Sequence, residues 1–156
     1  MSSPKSSSHF TNSDAAPVGP PLIGALLRIP WEAVRGRMLE RLHQSGFDDL
    51  DAPHLNVLQY PGPQGMRPSD LAAELNMSKQ ALNYLLGELE RRGYLERDAH
   101  PDDMRAKRIL LTRRGRSAVK VIREAVGDTE RDWAEQLGPM RFDQLRALLV
   151  ELNELT

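Results

Sequence analysis

The chain contains no cysteine among its 156 residues. This absence excludes disulfide bridges, thiolate metal sites and thiol-based redox sensing. No apolar run approaches the roughly 20 residues that a helix needs to cross a bilayer. The first residues carry one lysine and no apolar stretch after it, which is not the pattern of a signal peptide. We therefore expect a cytoplasmic protein without membrane association.

Catalytic signatures are also missing. The sequence has no glycine-rich phosphate loop and no His-Glu-x-x-His pattern. The four histidines, His9, His43, His54 and His100, are scattered along the chain. We expect no enzymatic activity and no cofactor.

Charge is distributed unevenly along the sequence. The net charge is −1, yet eight basic residues and no acidic one occur between Arg105 and Arg123. A local basic segment is what contact with a phosphate backbone requires, although a solvated helix face has the same composition. The length suits one domain with its own core.

The N-terminal part divides into a tail and a helix. Residues 1–21 are rich in Ser and Pro, which predicts a disordered tail. Apolar residues from Leu22 to Leu42 recur at helical spacing. We expect Pro30 to kink this helix or divide it in two, and Gly46 to end it.

The central part predicts three helices and a hairpin. The first helix spans Ala52–Gln59, and a Pro/Gly-rich loop separates it from a second helix that begins at Pro68. Ser78 is placed to cap a third helix, which Gly93 ends. The segments Tyr94–Arg97 and Arg108–Leu111 have the pattern of two short strands.

Two more helices complete the chain. Thr112 is placed to cap a long helix with an apolar stripe, and Gly138-Pro139 separates it from a last helix that is apolar on one side. The three central helices and the hairpin do not need these stripes for their own core. A second copy of the chain would cover them, so we expect a homodimer.

The helix after Ser78 has two contrasting faces. One face, predicted to be core, carries Ala81, Leu82, Leu85, Leu86 and Leu89. The other carries polar residues that can hydrogen-bond base edges in the major groove, together with a tyrosine and a glycine. These are Lys79, Gln80, Asn83, Tyr84 and Gly87. An ordinary solvated helix would show the same periodicity, so the pattern alone leaves both interpretations open.

Two motifs in this region resemble the MarR (multiple antibiotic resistance regulator) family. The first is Leu71-Ala72-x-x-Leu75-x-Met77-Ser78 with the leucines that follow it, and the second is Asp103-x-Arg105 before Leu111-Thr112-x-x-Gly115. The resemblance implies a mainly α fold with a small β-hairpin wing, a winged helix-turn-helix with long N- and C-terminal dimerisation helices. The domains would be a tail (1–21), a first dimerisation region (22–51), the DNA-binding domain (52–116) and C-terminal dimerisation helices (117–156).

The resemblance also implies a function and a set of site residues. The chain would be a ligand-responsive repressor that binds double-stranded DNA as a homodimer on a pseudo-palindromic operator. The recognition helix would contact DNA through Ser78, Lys79, Gln80, Asn83 and Tyr84. The wing would contribute Asp103, Arg105 and Lys107, with Asp103 holding the guanidinium of Arg105. We expect phosphate contacts from Ser69, Arg108 and Arg113, with Arg114 as a further candidate.

The family commonly senses small anionic aromatic or phenolic compounds, which implies an effector pocket here. Candidate lining residues are Trp31, Arg35, His54 and Tyr60. Two alternatives remain open. The winged helix could be a protein-docking module, or the chain could sense zinc through His43 and His54 with neighbouring carboxylates.

Overall fold

A computed structural model describes residues 21–99 and 107–156. All but one residue of the predicted tail, and the tip of the wing with Asp103 and Arg105, lie outside these ranges. The described helices are α1 (Ile23–Gln44), α2 (Ala52–Leu58), α3 (Pro68–Glu74), α4 (Lys79–Arg91), α5 (Arg113–Leu137) and α6 (Pro139–Glu154). The strands are β1 (Leu95–Ala99) and β2 (Lys107–Leu111).

The two long helices α1 and α5 pack against each other. Met38 and Leu42 of α1 are buried in the core, and Arg37 and Arg41 pair with Asp132 and Asp128 of α5 at 2.5 and 3.2 Å. Of the two outcomes expected at Pro30, division of the helix is wrong, because α1 continues through it, and the kink remains a prediction. A single proline removes only one backbone hydrogen bond, and the helix resumes beyond it. Gly46 follows the helix end with φ +85°, as predicted.

The core of the chain forms where α2, α3 and α4 meet the hairpin and α5. Its largest buried side chains include Leu55, Leu71, Leu86, Tyr94 and Ile109. One predicted core residue, Ala81, is exposed instead. At about 100° per residue, Ala81 lies roughly a quarter turn from the centre of the buried leucine face. It therefore lies at the border between the two faces of α4.

The hairpin is a two-stranded antiparallel sheet with Leu95 opposite Leu111 and Ala99 opposite Lys107. Both strands are longer toward the wing than the sequence pattern predicted. Met66 adds an isolated bridge to Ile109, with N···O distances of 3.0 and 2.8 Å. Within the described residues, this single bridge is all that pairs the segment after the Pro/Gly-rich loop with the hairpin, so no third strand forms there.

Capping residues set the ends of α5. Thr112 accepts a hydrogen bond from the Gly115 N–H at 3.1 Å, and Gly138, with φ +90°, separates α5 from α6.

Large apolar side chains remain exposed on the first half of α1 and along α6. They include Leu26, Ile29 and Trp31, and Leu145, Leu148, Leu149, Leu152 and Leu155. Within residues 21–99 and 107–156, no helix combines the length and apolar character needed to cross a membrane.

Candidate nucleic-acid interface

The polar face of α4 is open to solvent. Lys79, Gln80, Asn83 and Tyr84 are all exposed, and Tyr84 retains 65% of its accessible surface. The opposite face buries Leu82, Leu85, Leu86 and Leu89. The structure therefore places these four predicted recognition residues together on the solvent-exposed face of α4.

Ser78 fixes the start of this helix. Its Oγ accepts a hydrogen bond from the Ala81 N–H at 3.1 Å, as the sequence predicted. The acceptor role leaves the hydroxyl hydrogen available to donate, and the unpaired N–H groups of the first turn give this end a positive potential. An anion such as a phosphate oxygen is stabilised in that position.

Polar contacts anchor the C-terminal half of α4. His54 is only 3% exposed, and its Nδ1 accepts from the Asp51 N–H at 3.0 Å. Its Nε2 therefore carries the proton and donates to Glu88 at 3.2 Å. Arg92 donates to the same carboxylate at 3.2 Å and to the backbone carbonyl of Asp49. These contacts fix α4 to the start of α2.

A second polar cluster joins the end of α4 to α5. The hydroxyl of the fully buried Tyr94 donates to Asp49 at 2.5 Å, and Arg114 donates to both carboxylate oxygens of Asp49 at 3.1 Å. Burial and the hydrogen bond to Asp49 raise the pKa of Tyr94 from 10.0 to about 12. Arg114 thus makes contacts within the chain, and its side chain is still 46% exposed. Its predicted phosphate contact remains a prediction.

The other residues predicted to contact the DNA backbone lie on α3, β2 and α5. Arg108 is half-buried and donates to the Gln64 carbonyl at 2.9 Å, so it holds the loop before α3. Ser69 is exposed at the start of α3, and Arg113 is exposed in the first turn of α5. In the wing, Lys107 pairs with Ala99 through the backbone. Asp103 and Arg105 fall outside the described residues, so their roles remain predictions.

The predicted effector residues differ in exposure and in their contacts, and their grouping in one pocket remains a prediction. Trp31 and Tyr60 are exposed and Arg35 is half-buried, whereas both ring nitrogens of the buried His54 have partners within the chain. None of the four lines a cleft of about 870 Å³ that lies between α5, β2 and residues 61–63. Its walls combine apolar residues with four cations of α5: Leu110, Leu111, Val119, Arg116, Lys120, Arg123 and Arg131.

Sequence reasoning missed this cleft, although one signal was present. Arg116, Lys120 and Arg123 recur at helical spacing on α5, but a basic segment of this kind was expected to face only DNA or solvent. Carboxylates also border the cleft: Glu124 lies 3.9 Å from Lys120, and Asp128 pairs with Arg41 and Arg131.

The two histidines considered for zinc have other partners. His43 Nε2 lies 2.9 Å from the Leu50 carbonyl oxygen, and His54 is held by Asp51 and Glu88. In the parts of the chain that the structure describes, no group of three metal-binding side chains converges. The geometry gives the zinc alternative no support.

Known proteins share this sequence pattern and this fold. Residues 45–106 match the model of the MarR family. The fold is similar to S. aureus MepR in complex with DNA (22% identity, TM-score 0.70), over 88% of this chain and all of that one. It is also similar to the reduced form of MarR from E. coli (23% identity, TM-score 0.71), over 86% of this chain and 98% of that one. A third similar structure is a MarR-family transcriptional regulator from Rhodococcus sp. RHA1 (25% identity, TM-score 0.66), over 86% of this chain and 94% of that one. These findings confirm the family resemblance and the winged helix-turn-helix fold.

Proposed function

We propose that this chain, which has the winged helix-turn-helix fold of the MarR family, binds duplex DNA sequence-specifically and regulates transcription. The observation that carries the proposal is the exposed set Lys79, Gln80 and Asn83 in the first turns of α4. Lysine pairs with guanine, and glutamine and asparagine pair with adenine, through hydrogen bonds in the major groove. The buried leucines and the Glu88 contacts hold the helix so that these side chains project together.

Contacts to the DNA backbone would orient the helix in the groove. Ser78 at the start of α4 and Ser69 at the start of α3 are exposed hydroxyls beside helix N-termini. Arg113, Arg108 and Lys107 would contribute positive charge on the wing side. Arg105, held by Asp103, would enter the adjacent minor groove, whose narrow A/T-rich segments attract arginine. These residues position the protein, whereas the α4 side chains select the sequence.

A homodimer accounts for the exposed apolar faces of α1 and α6. Leu148 is 64% exposed and Ile29 is 57% exposed, and both helices carry several more large apolar residues. Such faces at the two ends of one chain suit a two-fold interface in which each copy covers the other. Accordingly we assign residues 22–51 and 117–156 to dimerisation and 52–116 to DNA binding. The operator would then be pseudo-palindromic, with half-sites about one helical turn apart.

Regulation by a small anionic aromatic or phenolic effector is the second part of the proposal. The cleft beside α5 supports it better than the set Trp31, Arg35, His54 and Tyr60. Arg116, Lys120 and Arg123 supply cations, and Leu110 with Val119 supplies apolar wall. Because β2 and α5 both border the cleft, a ligand there would bias the position of the wing and of α4. The ligand would release the protein from the operator if it bound the DNA-free arrangement of the protein more tightly than the DNA-bound arrangement. Repression would then be relieved by the ligand.

The decisive experiment measures fluorescence anisotropy of the full-length protein with a labelled duplex from the region upstream of its own gene. A scrambled duplex serves as competitor, and the titration is repeated at two salt concentrations. We expect tight binding that resists the scramble and falls steeply with salt. Equal affinity for the two duplexes would count against regulation at that operator. Equal affinity across a random duplex library as well would contradict sequence-specific recognition altogether.

Variants separate DNA reading from protein docking. Gln80→Ala or Asn83→Ala should relax the preference at one base pair by about 1–3 kcal/mol. Arg105→Ala should weaken binding generally, and most at A/T-rich flanks. Lys120→Ala, on α5 and away from α4, is the matched control and should leave sequence preference unchanged. If Gln80→Ala and Arg105→Ala both left DNA affinity unchanged, the docking alternative would be favoured.

A further inference from the structure

An open depression with apolar walls lies at the edge of the reading face of α4, beside some of its polar side chains. Its lining consists of Met77, Ser78, Gln80, Ala81, Tyr84 and Leu85. Ala81, whose side chain is a single methyl group, is one of these lining residues. Met77 lies in the turn before the helix and Tyr84 lies three residues after Ala81, and both border the same hollow. The depression is open to solvent and adjoins the residues proposed to read bases.

The walls of this depression have an unusual composition for a surface helix. Ala81 is exposed and Tyr84 is 65% exposed, whereas Met77 packs partly against the core and so has little freedom to move. Gln80 borders the depression, whereas Asn83 is not among its lining residues. Binding in an apolar hollow of this kind is favourable when an apolar group of the ligand displaces water from it. On the DNA, that apolar group must also lie beside a hydrogen-bonding partner for Gln80.

The major groove of unmodified DNA offers one apolar group of this size. Thymine presents its C5-methyl group beside its O4 acceptor, while adenine presents the N6 and N7 pair that glutamine and asparagine recognise. A methyl group at Ala81 and an adenine edge at Gln80 would thus be adjacent features of an A/T-containing half-site. No other base pair supplies both.

We propose that the depression around Ala81 selects a thymine in each half-site through its C5-methyl group. This inference rests on the proposed DNA-binding function. Ala81 contributes contact surface, and Met77 and Tyr84 exclude water from the sides of the methyl group. Gln80 fixes the register by bonding a neighbouring adenine. The expected loss on removing one methyl group is roughly fourfold in affinity, from about 0.8 kcal/mol per buried carbon.

The test changes the DNA and leaves the protein intact. Full-length protein first selects its operator from a random duplex library. Each thymine in the selected duplex is then replaced singly by deoxyuridine, which removes only the methyl group and keeps base pairing. We expect one position per half-site where the replacement weakens binding roughly fourfold, and about 15-fold when both half-sites are changed. Replacing that T·A pair by 5-methylcytosine·guanine, in comparison with cytosine·guanine, should recover part of the loss.

A protein variant locates the contact. Ala81→Gln fills the depression, so the ratio of affinities for thymine and deoxyuridine duplexes should fall to about one, because the methyl group no longer has a hollow to enter. Ala73→Gln makes the same change at an exposed alanine of α3, outside the depression, and should keep the ratio near its original value. Circular dichroism verifies that both variants are folded.

The outcomes separate the inference from the function on which it rests. If the library yields no preferred sequence, sequence-specific binding itself is contradicted. If a sequence is selected but every thymine tolerates deoxyuridine, the function stands and the methyl-binding proposal is overturned. The proposal is equally overturned if the Ala81→Gln variant keeps the full deoxyuridine penalty, because the methyl group would then act elsewhere or through DNA shape.

Discussion

The guanidinium carbon of Arg114 lies 4.5 Å from the centre of the Tyr94 ring, and its Nη2 donates to the Tyr94 hydroxyl at 2.9 Å. The same hydroxyl donates to Asp49, which also pairs with Arg114. Asp49 precedes α2, Tyr94 follows α4 and Arg114 lies in the first turn of α5. This cluster therefore connects the reading helix to the long helix that we assign to dimerisation.

The Tyr94 hydroxyl should contribute measurably to stability. Tyr94→Phe removes the hydroxyl and leaves the buried ring and the Asp49–Arg114 pair in place. We expect the free energy of unfolding to fall by about 1 kcal/mol, the typical net effect of one hydrogen-bonded group. Urea denaturation followed by circular dichroism measures this change. Tyr84→Phe, at an exposed ring on α4, is the control and should have no effect. Equal values for the two variants would contradict the assigned role of the cluster.

The same cluster predicts a dependence of stability on high pH. The pKa of Tyr94 is raised to about 12 in the folded chain, against 10.0 for the ordinary group, so the folded state retains the proton longer. The contribution to stability is complete below the ordinary pKa of 10.0 and is lost as the pH rises from there toward about 12. Urea midpoints across this range should fall more steeply for the unmodified protein than for Tyr94→Phe. Parallel curves would show that Tyr94 titrates normally.

Local sequence signals were sufficient for most of the fold. The helical period of the leucines in α4, the capping residues Ser78 and Thr112, and the glycines at 93 and 138 predicted where elements begin and end. Each of these signals depends on residues within one or two helical turns. The exposed position of Ala81 was missed because it lies at the border of the leucine face, where period alone does not decide burial.

Long-range polar contacts could not be predicted in the same way. Tyr94 is separated by 45 residues from Asp49 and by 20 from Arg114, and no spacing rule relates such positions. Arg114 and Arg113 look alike in the sequence and both are exposed, and only the structure shows that Arg114 bonds to Asp49 and Tyr94. The cleft beside α5 was missed because one of its walls, residues 61–63, lies about 50 residues before α5 in the sequence.

Gly115 is required by the close crossing of α5 over the start of β1. A Cβ at this position would lie 2.1 Å from the Tyr94 carbonyl oxygen, which also accepts a hydrogen bond from the Thr112 N–H at 3.0 Å. Gly115→Ala should therefore lower the free energy of unfolding by about 1–3 kcal/mol, since backbone must shift. Thermal unfolding measures the effect.

Gly127→Ala is the matched control on the same helix. Its Cβ would lie 3.6 Å from the Arg131 side chain, which is ordinary contact, and alanine favours the helix by about 0.5–1 kcal/mol. We expect unchanged or increased stability for this variant. A Gly115→Ala protein as stable as the Gly127→Ala protein would refute the close crossing.

The neighbouring arginines 113 and 114 should behave differently on substitution. Arg113→Ala should leave stability unchanged and weaken DNA binding uniformly, with the slope of log affinity against log salt reduced by about one per protomer. Arg114→Ala should instead lower the free energy of unfolding by about 1 kcal/mol through loss of the Asp49 pair and the Tyr94 contact. Paired urea and anisotropy titrations distinguish the two effects. Identical profiles for the two variants would show that the distinction drawn from the geometry is wrong.

The apolar face of α6 should determine the oligomeric state. Leu148, at 64% exposure, lies on this face with Leu145 and Leu152. Leu148→Glu places a charge where we expect the second copy to pack, so it should shift the protein from dimer to monomer in analytical ultracentrifugation. DNA affinity should fall with it, because two half-sites no longer bind as one unit. Ala147→Glu adds the same charge on the side of the helix away from Leu145 and Leu152 and should leave the dimer intact. A Leu148→Glu protein that sediments as the unmodified protein does would move the interface away from this face.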